Sequence, residues 1–142
     1  MSIVRVLIVD DFDPWRVFVI QQLSQQPHMR VIECASDGLE GVQKAEELQP
    51  DLILLDISLP KLNGIDVARK ARKLVPKAKI LFLSSNADPD VVRAAFCAGG
   101  GGYVLKADAG GALLAGIEAV LLGKQYVSSS LKEIEDLTDL EE

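Results

Sequence analysis

Apolar, β-branched runs recur along the chain and are separated by segments with helical spacing. The runs are Ile3 to Val9, Val31 to Ala35, Leu52 to Leu55, Ile80 to Leu83 and Tyr103 to Leu105. They are nearly continuous rather than alternating, which is typical of strands that are buried on both faces of a parallel sheet. The pattern therefore predicts five parallel strands.

The segments between these runs carry apolar residues at helical spacing, with signals for helix starts and ends. Asp13, Asp37 and Asp88 are predicted N-caps, and Gly99 and Gly123 are predicted to follow helix ends. Strand and helix alternate five times. This alternation predicts an α/β fold with a doubly wound sheet, in which right-handed crossovers place helices on both faces.

Length and composition fit one globular domain. The chain has 142 residues, of which 49% are hydrophobic and 25% are charged. Its formal net charge of -6 has the wrong sign for binding nucleic acid through a general field, so we expect no direct nucleic-acid binding. Residues 125–142 hold six acidic residues and one lysine. We therefore expect a domain at 1–124, followed by an acidic C-terminal extension or truncated linker at 125–142, with a short helix or a frayed segment from Ser130 onward.

The sequence contains no signal for export or membrane insertion. No apolar run approaches the roughly 18 residues of a membrane span, and no signal peptide precedes the first predicted strand. Cys34 and Cys97 lack C-x-x-C spacing and lie in apolar stretches, so we expect buried thiols in a reducing compartment, with a disulfide as the alternative. We expect a cytoplasmic chain without membrane contact.

Polar side chains follow four of the predicted strands. Asp10 and Asp11 follow the first strand, Asp56 the third, Ser84 the fourth and Lys106 the fifth. Ligands of open α/β sheets bind outside the carboxyl ends of the strands, so these side chains are expected to meet there. Three carboxylates repel one another unless a cation or protons compensate, and an oxygen-only ligand set without histidine or cysteine favours Mg²⁺ over zinc.

The same set of side chains suits phosphoryl chemistry. An ammonium at Lys106 and a bound metal would neutralise phosphoryl oxygens, while the Ser84 hydroxyl donates a hydrogen bond. The Asp56 carboxylate would then attack a phosphoryl donor in line and hold the group as an acyl phosphate. The alternatives are that the three aspartates only cap the turns and helices that follow them, and that Lys106 is a solvated surface lysine.

These motifs together resemble the receiver domain of two-component response regulators, the CheY-like family. The resemblance covers about residues 3 to 124, and its motifs are the Asp10-Asp11 pair, residues 56–60 with Gly64 after them, Ser84, and residues 102–106 ending in Lys106. Residues 13–16 and 123–128 are similar to regulators of the NarL/FixJ type. The resemblance implies a flavodoxin-like (βα)5 fold with five parallel strands in the order 2-1-3-4-5.

The resemblance also implies a role for each matching position around the acidic cluster. Asp56 corresponds to the phosphoacceptor, which also ligates Mg²⁺, and Asp11 to a direct Mg²⁺ ligand. Asp10 is expected to contact the metal through water, and the backbone carbonyl of Ser58 is expected to ligate it. Lys106 corresponds to the lysine that contacts the phosphoryl group.

The remaining matches imply a switch. Ser84 corresponds to the hydroxyl that moves toward the phosphoryl group, and Tyr103 to the aromatic residue that then turns inward; a packing role for Tyr103 at the strand end fits both states. Ser58 and Asn86 occupy positions that in the family modulate acyl phosphate lifetime. The state of the site is expected to reach the face formed by the fourth helix, fifth strand and fifth helix.

The resemblance implies a signalling role rather than an enzyme, although such a domain assists its own Mg²⁺-dependent phosphorylation and dephosphorylation. The expected partner is a sensor histidine kinase or a histidine phosphotransfer protein, and a homodimer through the same face is expected as an assembly. NarL/FixJ-type regulators continue into a DNA-binding helix-turn-helix, for which residues 125–142 are too few. Both a single-domain regulator and an excised receiver stay open.

Two features of the sequence depart from the family pattern. Ala107 stands where many receivers have a proline, and the four glycines at 99–102 predict a flexible entry to the fifth strand.

The D-x-D at Asp11 and Asp13 is similar to haloacid-dehalogenase phosphatases, which would be labelled at Asp11 instead of Asp56. The turn after the first strand lacks the amide-donating loop of a flavin module and the glycine motif of a dinucleotide-binding unit. A pseudo-receiver that acts as a phosphorylation-independent binding module is the main alternative.

Overall fold

The computed structural model describes residues 2–131 of the chain and shows strands and helices in strict alternation. The strands are β1 Val4–Val9, β2 Met29–Ala35, β3 Leu52–Leu55, β4 Lys79–Ser84, β5 Gly102–Leu105 and β6 Tyr126–Val127. The α-helices are α1 Asp13–Ser24, α2 Gly38–Leu48, α3 Gly64–Leu74, α4 Pro89–Cys97 and α5 Ala109–Leu121, and short 3₁₀ turns cover Lys106–Asp108 and Ser129–Leu131. None of the helices in this part of the chain is long and apolar enough to cross a membrane.

All the strands form one parallel sheet in the order β2-β1-β3-β4-β5-β6. The first five have the expected order. The expectation of five strands is wrong by one, because Tyr126 and Val127 pair with Gly102 and Tyr103 along the outer edge of β5. A strand of two residues is too short to produce a hydrophobic period, so the sequence pattern does not reveal it.

Helices cover both faces of the sheet, as the alternation predicts. One apolar layer contains Val19 and Leu23 of α1 together with Leu113 and Ile117 of α5. The other layer joins α2, α3 and α4 to the opposite face of the same strands. Because both faces are buried, the carboxyl-terminal ends of the strands form the edge at which side chains can reach a ligand.

Two of the three predicted helix caps are present. Asp37 accepts a hydrogen bond from the Glu40 amide at 2.8 Å, and Asp88 accepts one from the Asp90 amide at 2.9 Å. The prediction for Asp13 is wrong: α1 already includes Asp13, whose carboxylate pairs with Arg16 one turn later.

One further expectation changes. Both cysteines are free, but Cys34 in β2 is only partly buried and Cys97 at the end of α4 is exposed. The flexible entry to the fifth strand stays a prediction. Gly99 has φ 114° and a Cβ on Gly100 would lie 2.7 Å from the Phe82 ring, so the fold favours glycine at both positions.

The segment after α5 returns along the edge of the sheet. The Ser128 amide donates to the Tyr103 carbonyl at 3.0 Å, and the Ser128 hydroxyl accepts from the Leu105 amide at 3.0 Å. The Ser130 hydroxyl donates to the Asp108 carboxylate at 2.7 Å, and Leu131 is fully buried. Residues 126–131 are therefore packed onto the sheet. The short helix expected from Ser130 onward lies almost entirely outside the described residues.

Candidate phosphorylation site

Three carboxylates meet at the carboxyl-terminal edge of the sheet. Asp10 and Asp11 follow β1 and Asp56 follows the neighbouring β3, and one oxygen from each lies within 4.8 Å of the others. Asp10 and Asp56 are only 4% and 6% exposed, whereas Asp11 is open to solvent. Like charges this close repel one another unless a cation compensates them or a carboxyl group holds a proton.

Lys106 supplies part of that compensation. Its ammonium lies 2.9 Å from an Asp10 carboxylate oxygen and 3.1 Å from an Asp56 oxygen, and its side chain is 8% exposed. Burial raises the pKa of Asp10, and the hydrogen bond from Lys106 partly offsets that rise. The alternative of a solvated surface lysine does not hold for this buried side chain, which joins the ends of β1, β3 and β5.

The backbone around Asp56 is fixed on both sides. Its amide donates to the Val9 carbonyl at 3.0 Å, and one of its carboxylate oxygens accepts from the Ile57 amide at 2.7 Å. A Cβ on Gly64 would lie only 1.9 Å from the Asp56 carbonyl oxygen. Glycine is therefore required at this position for the start of α3 to approach the loop that follows Asp56.

The donor set fits a hard divalent cation. All three clustered side chains offer carboxylate oxygens, which Mg²⁺ prefers, and Asp11 faces solvent, where the ion would keep several of its waters. Asp10 is held by the Phe12 amide at 2.9 Å. The residues proposed as direct ligands are Asp11, Asp56 and the backbone carbonyl of Ser58, which lies in the loop between β3 and α3.

The predicted switch residues lie next to one another beside this cluster. Tyr103 is fully buried and its hydroxyl donates to the Asn86 carbonyl at 2.6 Å, so the ring points inward in this structure. The Ser84 hydroxyl accepts from the Asn86 amide at 3.1 Å. Burial raises the pKa of Tyr103 to about 12, although a hydrogen bond with Ser84 lowers it in part. Tyr103 also stacks on Phe82 with ring centroids 6.0 Å apart.

Two residues of α1 reach the site, although their sequence context did not single them out. The ring of Trp15 lies under the Lys106 ammonium, 5.2 Å from ring centroid to nitrogen, and the Arg16 guanidinium donates to the Asp10 carbonyl at 2.6 Å. The apolar spacing of α1 does not distinguish Trp15 from the residues of that helix that pack against the sheet. The available signal was its position in the first turn of the helix that follows the Asp10-Asp11 pair.

Solved structures define the class of this fold. A two-component response regulator of the LuxR family from Aurantimonas sp. SI85-9A1 matches with a TM-score of 0.89 and 28% identity, covering 98% of this chain and 99% of that one. The response regulator domain of CheB from Thermotoga maritima matches with a TM-score of 0.79 and 30% identity, covering 84% and 97%. The structure is thus a CheY-like, flavodoxin-type α/β fold.

Residues 6–118 match the family model of the response regulator receiver domain. The chain therefore belongs to the response regulator receiver family of two-component systems. It is 35% identical over 130 residues to the nitrate/nitrite response regulator protein NarL of Escherichia coli, covering 91% of this chain and 60% of that protein. It is 34% identical over 128 residues to the transcriptional regulatory protein LiaR of Bacillus subtilis, covering 90% and 61%. The chain thus spans about three fifths of the length of these two relatives.

Proposed function

We propose that the chain is a phosphorylation-dependent switch of a two-component phosphorelay, in which Asp56 accepts the phosphoryl group. The observation that carries this proposal is the buried Lys106 ammonium, which lies within hydrogen-bonding distance of both Asp10 and Asp56. An ammonium held there can neutralise an oxygen of a phosphoryl group bonded to Asp56.

The donor would be the phosphohistidine of a sensor histidine kinase or of a histidine phosphotransfer protein. An Asp56 carboxylate oxygen attacks phosphorus, the nitrogen–phosphorus bond breaks, and the released imidazole nitrogen takes up a proton. Asp11, Asp56 and the Ser58 carbonyl would hold Mg²⁺, with Asp10 contacting it through water. The ion supplies positive charge opposite the phosphoryl oxygens when it is bound.

Ser84 and Tyr103 would transmit the phosphorylation state of Asp56 to the surface of the domain. The Ser84 hydroxyl has one proton, which it can give either to the neighbouring Tyr103 hydroxyl or to a phosphoryl oxygen on Asp56. Phosphorylation would therefore change the hydrogen bonding of a tyrosine that lies beneath the α4–β5–α5 face. The edge of β5 is already paired with β6, so a homodimer through this face would contact α4, α5 and β6.

Incubation with a small phosphodonor such as phosphoramidate and Mg²⁺ tests the proposal. Intact-mass spectrometry should show the gain of one phosphoryl group that is acid-labile, as an acyl phosphate is. The gain should be lost in Asp56→Asn and with chelator, and peptide mapping should place it on Asp56. Incorporation at Asp11 would instead indicate phosphatase-type chemistry, and no incorporation would make the chain a phosphorylation-independent binding module.

A further inference from the structure

Lys106 has neighbours of two different kinds. On one side its ammonium contacts the carboxylates of Asp10 and Asp56, and on the other it lies over the indole ring of Trp15, 5.2 Å from the ring centroid. A cation within about 6 Å of the centroid over an indole face is attracted by the ring quadrupole. The ring accepts no proton and carries no charge, so this contact neutralises none of the positive charge of Lys106.

Trp15 is itself held in place by contacts that do not involve Lys106. Its ring packs edge-to-face against Phe18 at 5.3 Å between centroids, within the first turns of α1. The next residue, Arg16, pairs with Asp13 and donates to the Asp10 carbonyl at 2.6 Å, which ties this turn to the end of β1. The indole is therefore a fixed surface against which a flexible lysine can be oriented.

The contact matters most when the carboxylates change partners. If Asp10 and Asp56 turn to a metal ion and a phosphoryl group, the ammonium loses part of its present hydrogen bonding. Lysine has a long flexible side chain, and the indole face is the neighbour that keeps attracting the ammonium through that exchange. A preoriented cation stabilises developing phosphoryl charge without first having to reorganise.

We propose that Trp15 is a positioning residue for phosphoryl transfer: its indole face holds the Lys106 ammonium at the mouth of the acidic cluster, in reach of phosphoryl oxygens on Asp56. This inference rests on the proposed function and names a residue that acts through Lys106 rather than on the phosphoryl group itself.

Three variants separate the aromatic face from simple bulk. Trp15→Leu removes the ring but keeps an apolar side chain, Trp15→Phe keeps an aromatic face, and Val17→Ala removes an exposed apolar group from the same helix as a control. In phosphorylation by phosphoramidate with Mg²⁺, we expect the maximal rate of Trp15→Leu to fall about 3- to 30-fold. The Trp15→Phe variant should keep most of the wild-type rate, and Val17→Ala should stay within about twofold of the wild type.

Two readouts do not depend on phosphorylation. Trp15 is the single tryptophan of the chain, so its emission reports charge placed against its ring. We expect Lys106→Met to change the emission of the metal-free protein and the exposed Lys124→Met to leave it unchanged. In a double-mutant cycle on the free energy of unfolding, Trp15→Leu and Lys106→Met should couple, so that Trp15→Leu destabilises the Lys106→Met background less than it destabilises the wild type.

Equal phosphorylation rates for Trp15→Leu and the wild type would overturn the proposal. So would additive effects of the two substitutions on the free energy of unfolding together with a tryptophan emission that Lys106→Met leaves unchanged. Failure of the proposed function looks different. The wild type would then take up no phosphoryl group on Asp56, while the emission change and the coupling would still report whether the indole holds the ammonium.

Discussion

Replacing Lys106 by methionine keeps the length of the side chain and removes the charge that compensates two buried carboxylates. Asp10, Asp56 and Lys106 are 4%, 6% and 9% exposed, so solvent can replace little of the lost interaction. Removing one partner of a buried ion pair costs about 3 to 5 kcal/mol, because the remaining charge is left without compensation. We expect the free energy of unfolding of Lys106→Met to be about 4 kcal/mol lower in chelator, out of roughly 5 to 15 kcal/mol for a typical domain.

Magnesium should reverse much of this loss. The ion would replace the missing positive charge, and the ammonium no longer competes for the same oxygens, so the variant should bind Mg²⁺ more tightly than the wild type. At about 100 times its dissociation constant the ion contributes about 2.7 kcal/mol. Urea denaturation followed by circular dichroism, with chelator and with Mg²⁺, measures both effects, and the exposed Lys124→Met should stay within about 0.5 kcal/mol of the wild type. The reasoning is refuted if Lys106→Met is as stable as the wild type in chelator, or if Mg²⁺ stabilises the wild type more.

Three further substitutions test the packing around the site. Because burial raises the pKa of Tyr103 to about 12, its phenol ionises in the unfolded chain first; the free energy of unfolding, measured by urea denaturation, should fall by about 2 kcal/mol more between pH 10 and 12 than in Tyr103→Phe, and parallel pH profiles would contradict this. Gly64→Ala places a Cβ 1.9 Å from a backbone carbonyl and should cost about 3 kcal/mol or more, whereas Gly111→Ala in α5, with nothing within 4 Å, should be neutral or stabilising; equal effects would refute the close approach. Leu131→Ala should lower the free energy of unfolding by about 2 to 5 kcal/mol because the side chain is fully buried, whereas Leu122→Ala, at 73% exposure, should change it little. A melting temperature of Leu131→Ala equal to that of the wild type would count against the packing of the C-terminal segment.

The strand ends could be predicted from the sequence because two independent signals agree there. Continuous apolar runs fix where the strands are, and the first polar residues after them fix what reaches the edge of the sheet. That is why Asp10, Asp56 and Lys106 meet in the structure as the pattern indicates. The order of the first five strands came from the family resemblance, because periodicity alone does not say which strands are neighbours.

The rest depends on contacts that a linear pattern does not encode. An apolar residue such as Trp15 has the same spacing whether it faces the helix core or a lysine more than ninety residues away in the chain. Asp13 lies before a proline, as N-caps often do, yet its carboxylate pairs with Arg16 instead. The strand β6 exists because β5 offers it an open edge, and nothing within its own two residues specifies a partner.

The short strand β6 determines at which end of the sheet the described part of the chain finishes. The helix α5 runs away from the phosphorylation site and would release the chain about 20 Å from it, given its 13 residues. Because β6 is parallel to β5, the chain instead runs back along β5, and Ser130 is bonded to Asp108, two residues after Lys106. The last described residues are thus tied to the loop that begins at Lys106, so a displacement of that loop would be passed to them through Asp108.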